Sequence, residues 1–368
     1  MRCLLHRFTL TKAVPLAISR GTTAAVQHLL LEIEHEGVIG RGETGGFDTG
    51  HRCFETETLA VELAAFLPRI EPLAPQPMQA LQPLLADLSP PARCAVDLAL
   101  WDWWGQRLGQ PLWRLWGLDR QAGEPTSVTL GLGTVAAVLA RLERWWEAMP
   151  ASRIKLKLGS PDGPDHDRQL VEAVAVALER RRQVTGQPCE LQVDANGGWG
   201  LETARSLLPW LEHQGVVLVE QPLGPLSDPE ADTAGFAALE LDCPMALVAD
   251  ESCWNVEDLL RLAPYVDGIN IKLLKSGGLS EALLMARTAE RLGLGVMLGC
   301  YSDAALLNGA ASQLLPLVRW PDLDSHLNLV DDPFLGPDLE GDQLRPSDRP
   351  GIGVDGGLAE TSLGDLPC

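Results

Sequence analysis

From about Thr126 the chain alternates short β-rich runs with helical segments, and this alternation constrains the fold more than any other feature. The β-type runs cover residues 127–133, 153–158, 189–194, 216–220, 246–250, 268–272 and 295–299, with an eighth at 319–323. Helical segments begin between them near Thr134, Asp165, Leu201, Asp228, Val256, Leu279 and Asp303. Helices in such positions are crossovers between parallel strands. Seven or eight units in about 200 residues point to a (β/α) barrel. A doubly wound open sheet is the alternative, but it commonly opens on a glycine-rich turn, and no G-x-G-x-x-G sequence follows the first run.

The region before Thr126 reads differently. Residues 28–34 and 37–43 form a β-hairpin pattern, and 55–67 and 91–104 read as helices, with Pro90 and Pro91 marking a helix start. A chain of 368 residues has room for two or three domains. Its 29 Lys and Arg against 50 Asp and Glu leave a net charge of −21, which opposes binding to nucleic acid or to anionic membranes. No apolar stretch reaches the length of a membrane span, and the N-terminus lacks the apolar core of a signal peptide. A cytoplasmic protein is expected. The 8 cysteines show no Cys-x-x-Cys spacing and read as buried free thiols. The Trp101, Trp103, Trp104, Trp113 and Trp116 cluster reads as helix packing. Assembly into a homo-oligomer is compatible with the sequence.

In a parallel barrel the active site lies at the C-terminal rim of the strands, so the polar residues that close each run are the candidates. The second run carries Lys155-Leu156-Lys157, whose i and i+2 positions share one face. The third ends in Asp194-Ala195-Asn196, the fourth in Glu220-Gln221-Pro222, the fifth in Asp250-Glu251-Ser252 and the sixth in Asn270-Ile271-Lys272. One Asp after a strand is ordinarily a helix cap or a loop residue. Asp194, Glu220 and Asp250 closing three successive runs are a different case, because converging carboxylates repel one another unless a cation neutralises them. Hard oxygen donors suit Mg²⁺, and no His ends these runs to favour zinc.

Lys157 and Lys272 belong to the second and sixth runs, on opposite sides of a closed barrel. A substrate carbon between them presents one face to each. Inversion by proton transfer needs that arrangement: one base removes the α-proton and the opposite acid returns it. A lysine serves as a base at neutral pH only if its pKa falls, and Lys155 and a metal are expected to lower it. The metal would also stabilise the enediolate. Ion pairing of Lys155 and Lys157 with the rim carboxylates is the plainer structural reading.

Taken together, Lys155-x-Lys157, Asp194-x-Asn196, Glu220-Gln221-Pro222, Asp250-Glu251-Ser252 and Asn270-Ile271-Lys272, followed by Gly277-Gly278, resemble the enolase superfamily. Lysines on both sides are similar to its muconate-lactonizing-enzyme subgroup. The resemblance runs from about Leu4 to Val354. It implies an α/β fold: a modified TIM-type (β/α)7β barrel over residues 121–325, an α+β capping domain over 1–120, and a tail, 326–368, packing back on the cap. Ala249-Asp250-Glu251-Ser252-Cys253 and Met297-Leu298-Gly299-Cys300 resemble dipeptide epimerases of the alanyl-glutamate type. So does Asp322-Leu323-Asp324-Ser325-His326-Leu327, an Asp-x-Asp element that binds the free α-amino group of a dipeptide in that family.

The resemblance implies Lys157 and Lys272 as the acid/base pair with Lys155 beside them, and Asp194, Glu220 and Asp250 as Mg²⁺ ligands. Asp322, Asp324, Arg20, Thr22, Thr23, Asn196 and Cys300 then contact the dipeptide. In this family the loop at residues 18–23 closes over the substrate side chain. Some alanyl-glutamate epimerases carry an Arg where this chain has Thr22 and Thr23, and the sequence leaves the direction of Arg20 open. Tyr301-Ser302-Asp303 also departs from common family forms. The implied reaction is Mg²⁺-dependent inversion of the C-terminal residue of a dipeptide through an enediolate. An N-acylamino-acid racemase, o-succinylbenzoate synthase or cycloisomerase is the alternative within the subgroup. A Schiff-base aldolase leaves the three carboxylates unexplained, and a barrel that only binds leaves the opposed lysines unexplained.

Overall fold

The computed structural model describes residues 1–358. Three antiparallel strands, β1 (Arg2–Ile18), β2 (Gly21–His35) and β3 (Val38–Gly45), open the chain. The β2–β3 hairpin is the one read from the sequence. The long β1 was not anticipated, because its mixed pattern of Thr, Lys, Arg and apolar residues hides a strand buried mainly by one face. Helix α1 (Thr56–Ile70) and helix α2 (Pro90–Leu108) pack against this sheet, extending the expected helices by a few residues. Two prolines start α2, and Gly109, at φ 65°, ends it in the left-handed conformation that glycine adopts without strain.

Eight parallel strands follow: β4 (Ser127–Leu130), β5 (Arg153–Lys157), β6 (Glu190–Asp194), β7 (Val216–Glu220), β8 (Ala246–Ala249), β9 (Gly268–Ile271), β10 (Gly295–Gly299) and β11 (Trp320–Asp322). They are hydrogen-bonded in chain order, and seven crossover helices connect them: α3 (Val135–Ala148), α4 (Pro164–Thr185), α5 (Leu201–His213), α6 (Pro229–Glu240), α7 (Val256–Leu262), α8 (Leu279–Leu292) and α9 (Ala305–Ser312). First and last strands meet through side chains: Ser127 Oγ donates to Asp322 Oδ1 at 2.5 Å, and Leu323 N to Thr126 Oγ1 at 3.1 Å. This is the expected barrel. Alternate residues of each strand point inward, and Leu218, Val248, Met297 and Trp320 fill its interior below the rim.

The cap is bolted to the barrel by buried polar contacts. Glu43 of β3 accepts from the backbone N–H groups of Ala304 and Leu307 at the start of α9 (3.0 and 2.9 Å) and pairs with His28 at 2.7 Å. Asp97 of α2 accepts from Ser280 N and Oγ at the start of α8 (3.0 and 2.5 Å). A Cβ on Gly278 would lie 2.4 Å from the Asp97 carboxylate, so the glycine of the Gly277-Gly278 pair permits this approach. Trp101 Nε1 donates to Ser280 Oγ, and its ring meets Trp116 edge-on, so these tryptophans serve packing as expected. Later residues return to the cap: Ile352 N donates to Asp102 Oδ1 at 2.8 Å, and Trp113 Nε1 to Ser347 O at 3.1 Å.

Cys53, Cys94, Cys189, Cys243, Cys253 and Cys300 are free thiols; of the described cysteines only Cys3, Cys94 and Cys253 are fully buried, and Cys53 is exposed. Cys368 and the rest of residues 359–368 lie outside the described part. Among the described residues no helix is long and apolar enough to cross a membrane.

Burial raises the Asp97 carboxyl to about 6 from 3.8, with the Ser280 hydrogen bonds acting against it. A carboxyl whose folded value exceeds its unfolded value contributes stability below the unfolded value and loses it as pH rises through the folded one. The difference corresponds to roughly 3 kcal/mol. Asp97→Asn is therefore expected to flatten the decline in unfolding free energy between pH 4 and 6, measured by urea titration at fixed ionic strength.

Candidate active site

Strand register brings the charged residues level. Lys157 lies opposite Asp194 across β5 and β6, and Asp194 opposite Glu220 across β6 and β7. Val248 of β8 faces Glu220, so Asp250, two residues on, projects from the same inner face. Lys155 lies one inward position below Lys157. Lys272 follows β9 on the far side of the ring. Close approach is needed there too: a Cβ on Gly299 would fall 2.7 Å from Asn270 Oδ1 and 3.0 Å from Lys272 Cε.

The buried charges interlock. Lys155 Nζ lies 2.6 Å from Asp322 Oδ2, 2.6 Å from Glu220 Oε2 and 3.4 Å from Asp194 Oδ2. Lys157 Nζ contacts Asp194 Oδ2 at 2.6 Å, and Lys272 Nζ contacts Asp250 Oδ2 at 2.7 Å. Burial pushes Asp194 up, but Lys157 and Lys155 outweigh it and hold the carboxyl at about 2. Asp250 is likewise pushed up by burial yet held well below the usual range by Lys272 and Lys275. Glu220 goes the other way: burial and repulsion from Asp194 raise it to about 8 despite Lys155. Burial works to lower Lys155 and Lys272, but their carboxylate partners, chiefly Asp322 and Asp250, hold both well above the ordinary lysine range. For Lys272 this is the opposite of the lowering expected of an acid/base lysine, because its ammonium lies against the Asp250 carboxylate.

Among the described residues no three acidic, His or Cys side chains are already grouped as a metal cage. Lysine ammonium groups hold the carboxylate oxygens in ion pairs. The donor set nevertheless suits a hard divalent cation: three adjacent strand ends offer only oxygen. Glu220 Oε2, although 2.6 Å from Lys155, is misaligned for a hydrogen bond and has no partner, and Asn196 Oδ1 and Glu251 Oε2 are also buried without one. Asp194, Glu220 and Asp250 are the residues able to hold Mg²⁺, which fits this set.

Above the charges lies a cavity of about 290 Å³ roofed by the cap. Lys157 and Lys272 both line it, with Asn196 and Cys300 from the barrel and Arg20, Thr22 and Thr23 from the cap. Asp324 lines a smaller adjoining hollow and accepts from Thr129 N at 2.6 Å. Asp322 is turned beneath it, held by Lys155 and Ser127. The direction of Arg20 is now defined: it donates to Asn196 O at 2.9 Å and to Glu251 Oε1 at 3.2 Å, which ties the capping loop to the rim.

Sequence reasoning missed several participants. Lys275, 1% exposed, donates to the Asp250 carboxylate and backbone oxygen, both at 2.5 Å, and to Cys253 O and Asn270 O. The Lys272-x-x-Lys275 spacing was the available signal. Gln221, at φ 36°, turns inward and accepts from Asp250 N at 2.9 Å and Ser252 N at 3.2 Å. Asn196 is also left-handed, at φ 45°, and both residues are non-glycine strain points at the rim. Tyr301 stacks on Phe47 at 4.2 Å and lies under the Lys272 ammonium. Lys12, buried on β1, enters the cavity from a strand that was not read.

A parallel barrel whose rim sets opposed lysines beside three neighbouring carboxylates, under an α+β cap, defines a class of barrel enzymes. Residues 137–356 match the enolase C-terminal domain-like family, and residues 4–117 match the mandelate racemase / muconate lactonizing enzyme N-terminal domain. The chain belongs to the enolase superfamily, in its mandelate racemase / muconate lactonizing enzyme branch. It is 35% identical over 357 residues to a hydrophobic dipeptide epimerase of Flavobacteria bacterium (strain MS024-2A), covering 96% of this chain and 98% of that one. It is 32% identical over 352 residues to an L-Ala-D/L-Glu epimerase of Bacteroides thetaiotaomicron, covering 95% and 85%. A dipeptide epimerase from Enterococcus faecalis V583, solved with Mg and the dipeptide L-Leu-L-Tyr, superposes with a TM-score of 0.85 at 26% identity, covering 96% of this chain and 98% of that one.

With Glu220 raised to about 8, a divalent cation binding its ionised form must displace a proton below that pH. Mg²⁺ affinity is expected to weaken by up to about tenfold per pH unit as pH falls from 8 to 6. Calorimetry in buffers of different ionisation enthalpy would show the released proton, and Glu220→Gln is expected to abolish both the release and most of the affinity.

Proposed function

We propose that this protein is a Mg²⁺-dependent dipeptide epimerase that inverts the α-carbon of the C-terminal residue. The observation that carries the reading is that Lys157 and Lys272, from strands on opposite sides of the barrel, line one cavity. In the proposed reaction one lysine, whose pKa would fall once Mg²⁺ engaged its carboxylate partner, takes the α-proton as the free amine, and the other, as an ammonium, delivers a proton to the opposite face. Asp194 and Asp250 orient the two ammonium groups through the contacts at 2.6 and 2.7 Å. Lys155 places positive charge beneath the reacting centre. Mg²⁺, held by Asp194, Glu220 and Asp250, would supply positive charge against the negative charge that builds on the substrate carboxylate. Asp324, with Asp322 beside it, receives the free α-ammonium. Asn196, Cys300, Thr22 and Thr23 contact the substrate, and Arg20 closes the capping loop onto the rim.

The second residue is proposed to be apolar. Arg20 is already engaged with Asn196 and Glu251, and Leu16, Ile18, Val26 and Phe47 line the cavity beneath the cap. The Flavobacteria relative's name, hydrophobic dipeptide epimerase, supports the same choice. The division into a cap over 1–120, a barrel over 121–325 and a returning tail over 326–368 belongs to this proposal. So does a cytoplasmic location, which the free thiols of Cys53, Cys94, Cys189, Cys243, Cys253 and Cys300 favour.

Lys157→Ala and Lys272→Ala are each expected to lower epimerisation of L-Ala-L-Leu by roughly 10²–10⁴-fold. In D₂O each variant should still exchange the α-proton of one stereoisomer of the second residue, and the two variants should differ in which. Mg²⁺ affinity should remain in both. Normal turnover by Lys272→Ala would overturn the assignment.

A further inference from the structure

Lys12 is a buried lysine at the mouth of the barrel, 8% exposed, that the chemistry above does not use. The β1–β2 ladder is irregular between Thr11 and Leu16, and here Lys12 bridges instead to Leu329. Such irregularities re-aim a side chain, and this one turns Lys12 toward the site. Its ammonium donates to Ser302 Oγ at 2.6 Å and, among the described residues, forms no ion pair. It lines both the main cavity and the adjoining hollow of about 50 Å³.

A second cation shares that hollow. Arg141 of α3 lies over the Trp145 ring, 4.2 Å from its centroid, and donates to Asn328 Oδ1 at 2.9 Å. Asp324 is the one carboxylate among the hollow's described lining residues. In the reading proposed above, the α-ammonium of the dipeptide meets Asp324. With Asp324 taken up by that ammonium, the hollow's described lining offers the two cations no second carboxylate beside the carbon that bears the first side chain. Burial lowers the pKa of Lys12 against the attraction of Asp303 and Asp324, and that of Arg141 against the attraction of Asp324.

We infer that Lys12 and Arg141 form a cationic subsite for the side chain of the first residue, selecting dipeptides that begin with Asp or Glu. The inference rests on the dipeptide reading. The hollow's 50 Å³, against about 10–15 Å³ for one water on the same measure, has room for a carboxylate.

The test is kcat/KM for L-Asp-L-Leu, L-Glu-L-Leu, L-Ala-L-Leu, L-Lys-L-Leu and N-succinyl-L-Leu, with Mg²⁺ in D₂O. N-succinyl-L-Leu is Asp-Leu without the ammonium. The acidic dipeptides are expected to exceed L-Ala-L-Leu by roughly tenfold or more, with L-Lys-L-Leu the slowest. In Lys12→Met and in Arg141→Gln the Asp-Leu to Ala-Leu ratio should fall by roughly 10- to 100-fold. Equal or faster turnover of L-Ala-L-Leu by the unaltered protein overturns the subsite and leaves the dipeptide reading standing. Turnover of N-succinyl-L-Leu with none of any dipeptide overturns both. An unchanged ratio in the variants overturns the roles of these residues. Should Lys12→Met fail to fold, the unaltered protein's ratio and Arg141→Gln decide.

Discussion

The structure depends on keeping carboxylates together in a dry barrel mouth. Two like charges about 4 Å apart at an effective dielectric of about 20 repel by roughly 4 kcal/mol, and Asp194, Glu220 and Asp250 each add burial to that. Lysines answer the repulsion. Lys155 is shared by Asp194, Glu220 and Asp322, while Lys272 and Lys275 divide the two oxygens of Asp250. The compensation is uneven. Asp194 and Asp250 are held ionised, whereas Glu220 is left with a raised pKa and an oxygen that accepts no hydrogen bond. The unevenness is what gives the ring an affinity for a further cation.

The cap depends on the same economy of buried charge. Glu43 and Asp97 are carboxylates from the cap that satisfy the exposed N–H groups at the starts of two barrel helices. Removing water from those helix ends is acceptable only because the acids replace it. The cap is thereby held at a fixed height over the rim, and Arg20 reaches the Asn196 carbonyl. The cavity between them is a product of that docking.

Much of this was legible in the chain. Alternating runs disclosed the barrel, because each strand buried on both faces needs a continuous apolar stretch and each crossover needs a helix. Glu220 and Asp250 were visible because each closes a run of four apolar residues and has one outlet, the rim; Lys157 and Asp194 end their more mixed runs at the same place. Lys275 was not, since its role depends on a short helical turn after β9 that folds its ammonium back under Asp250. Lys12 was hidden for another reason. A lysine in a mixed β-strand reads as a solvated residue, and only the bulge and the docked cap show that it is buried.

The sequence by itself determined the order of strands and helices, the family, and which acids and lysines end on the barrel's inner face, because period-two alternation and strand ends are local properties. Tertiary structure decided the rest. It set the direction of Arg20, turned Asp322 inward onto Lys155 while leaving Asp324 beside the hollow, and raised Lys272 where a lowering was expected. Each of these follows from distances between residues far apart in the chain, and electrostatic interaction in a buried site is governed by those distances.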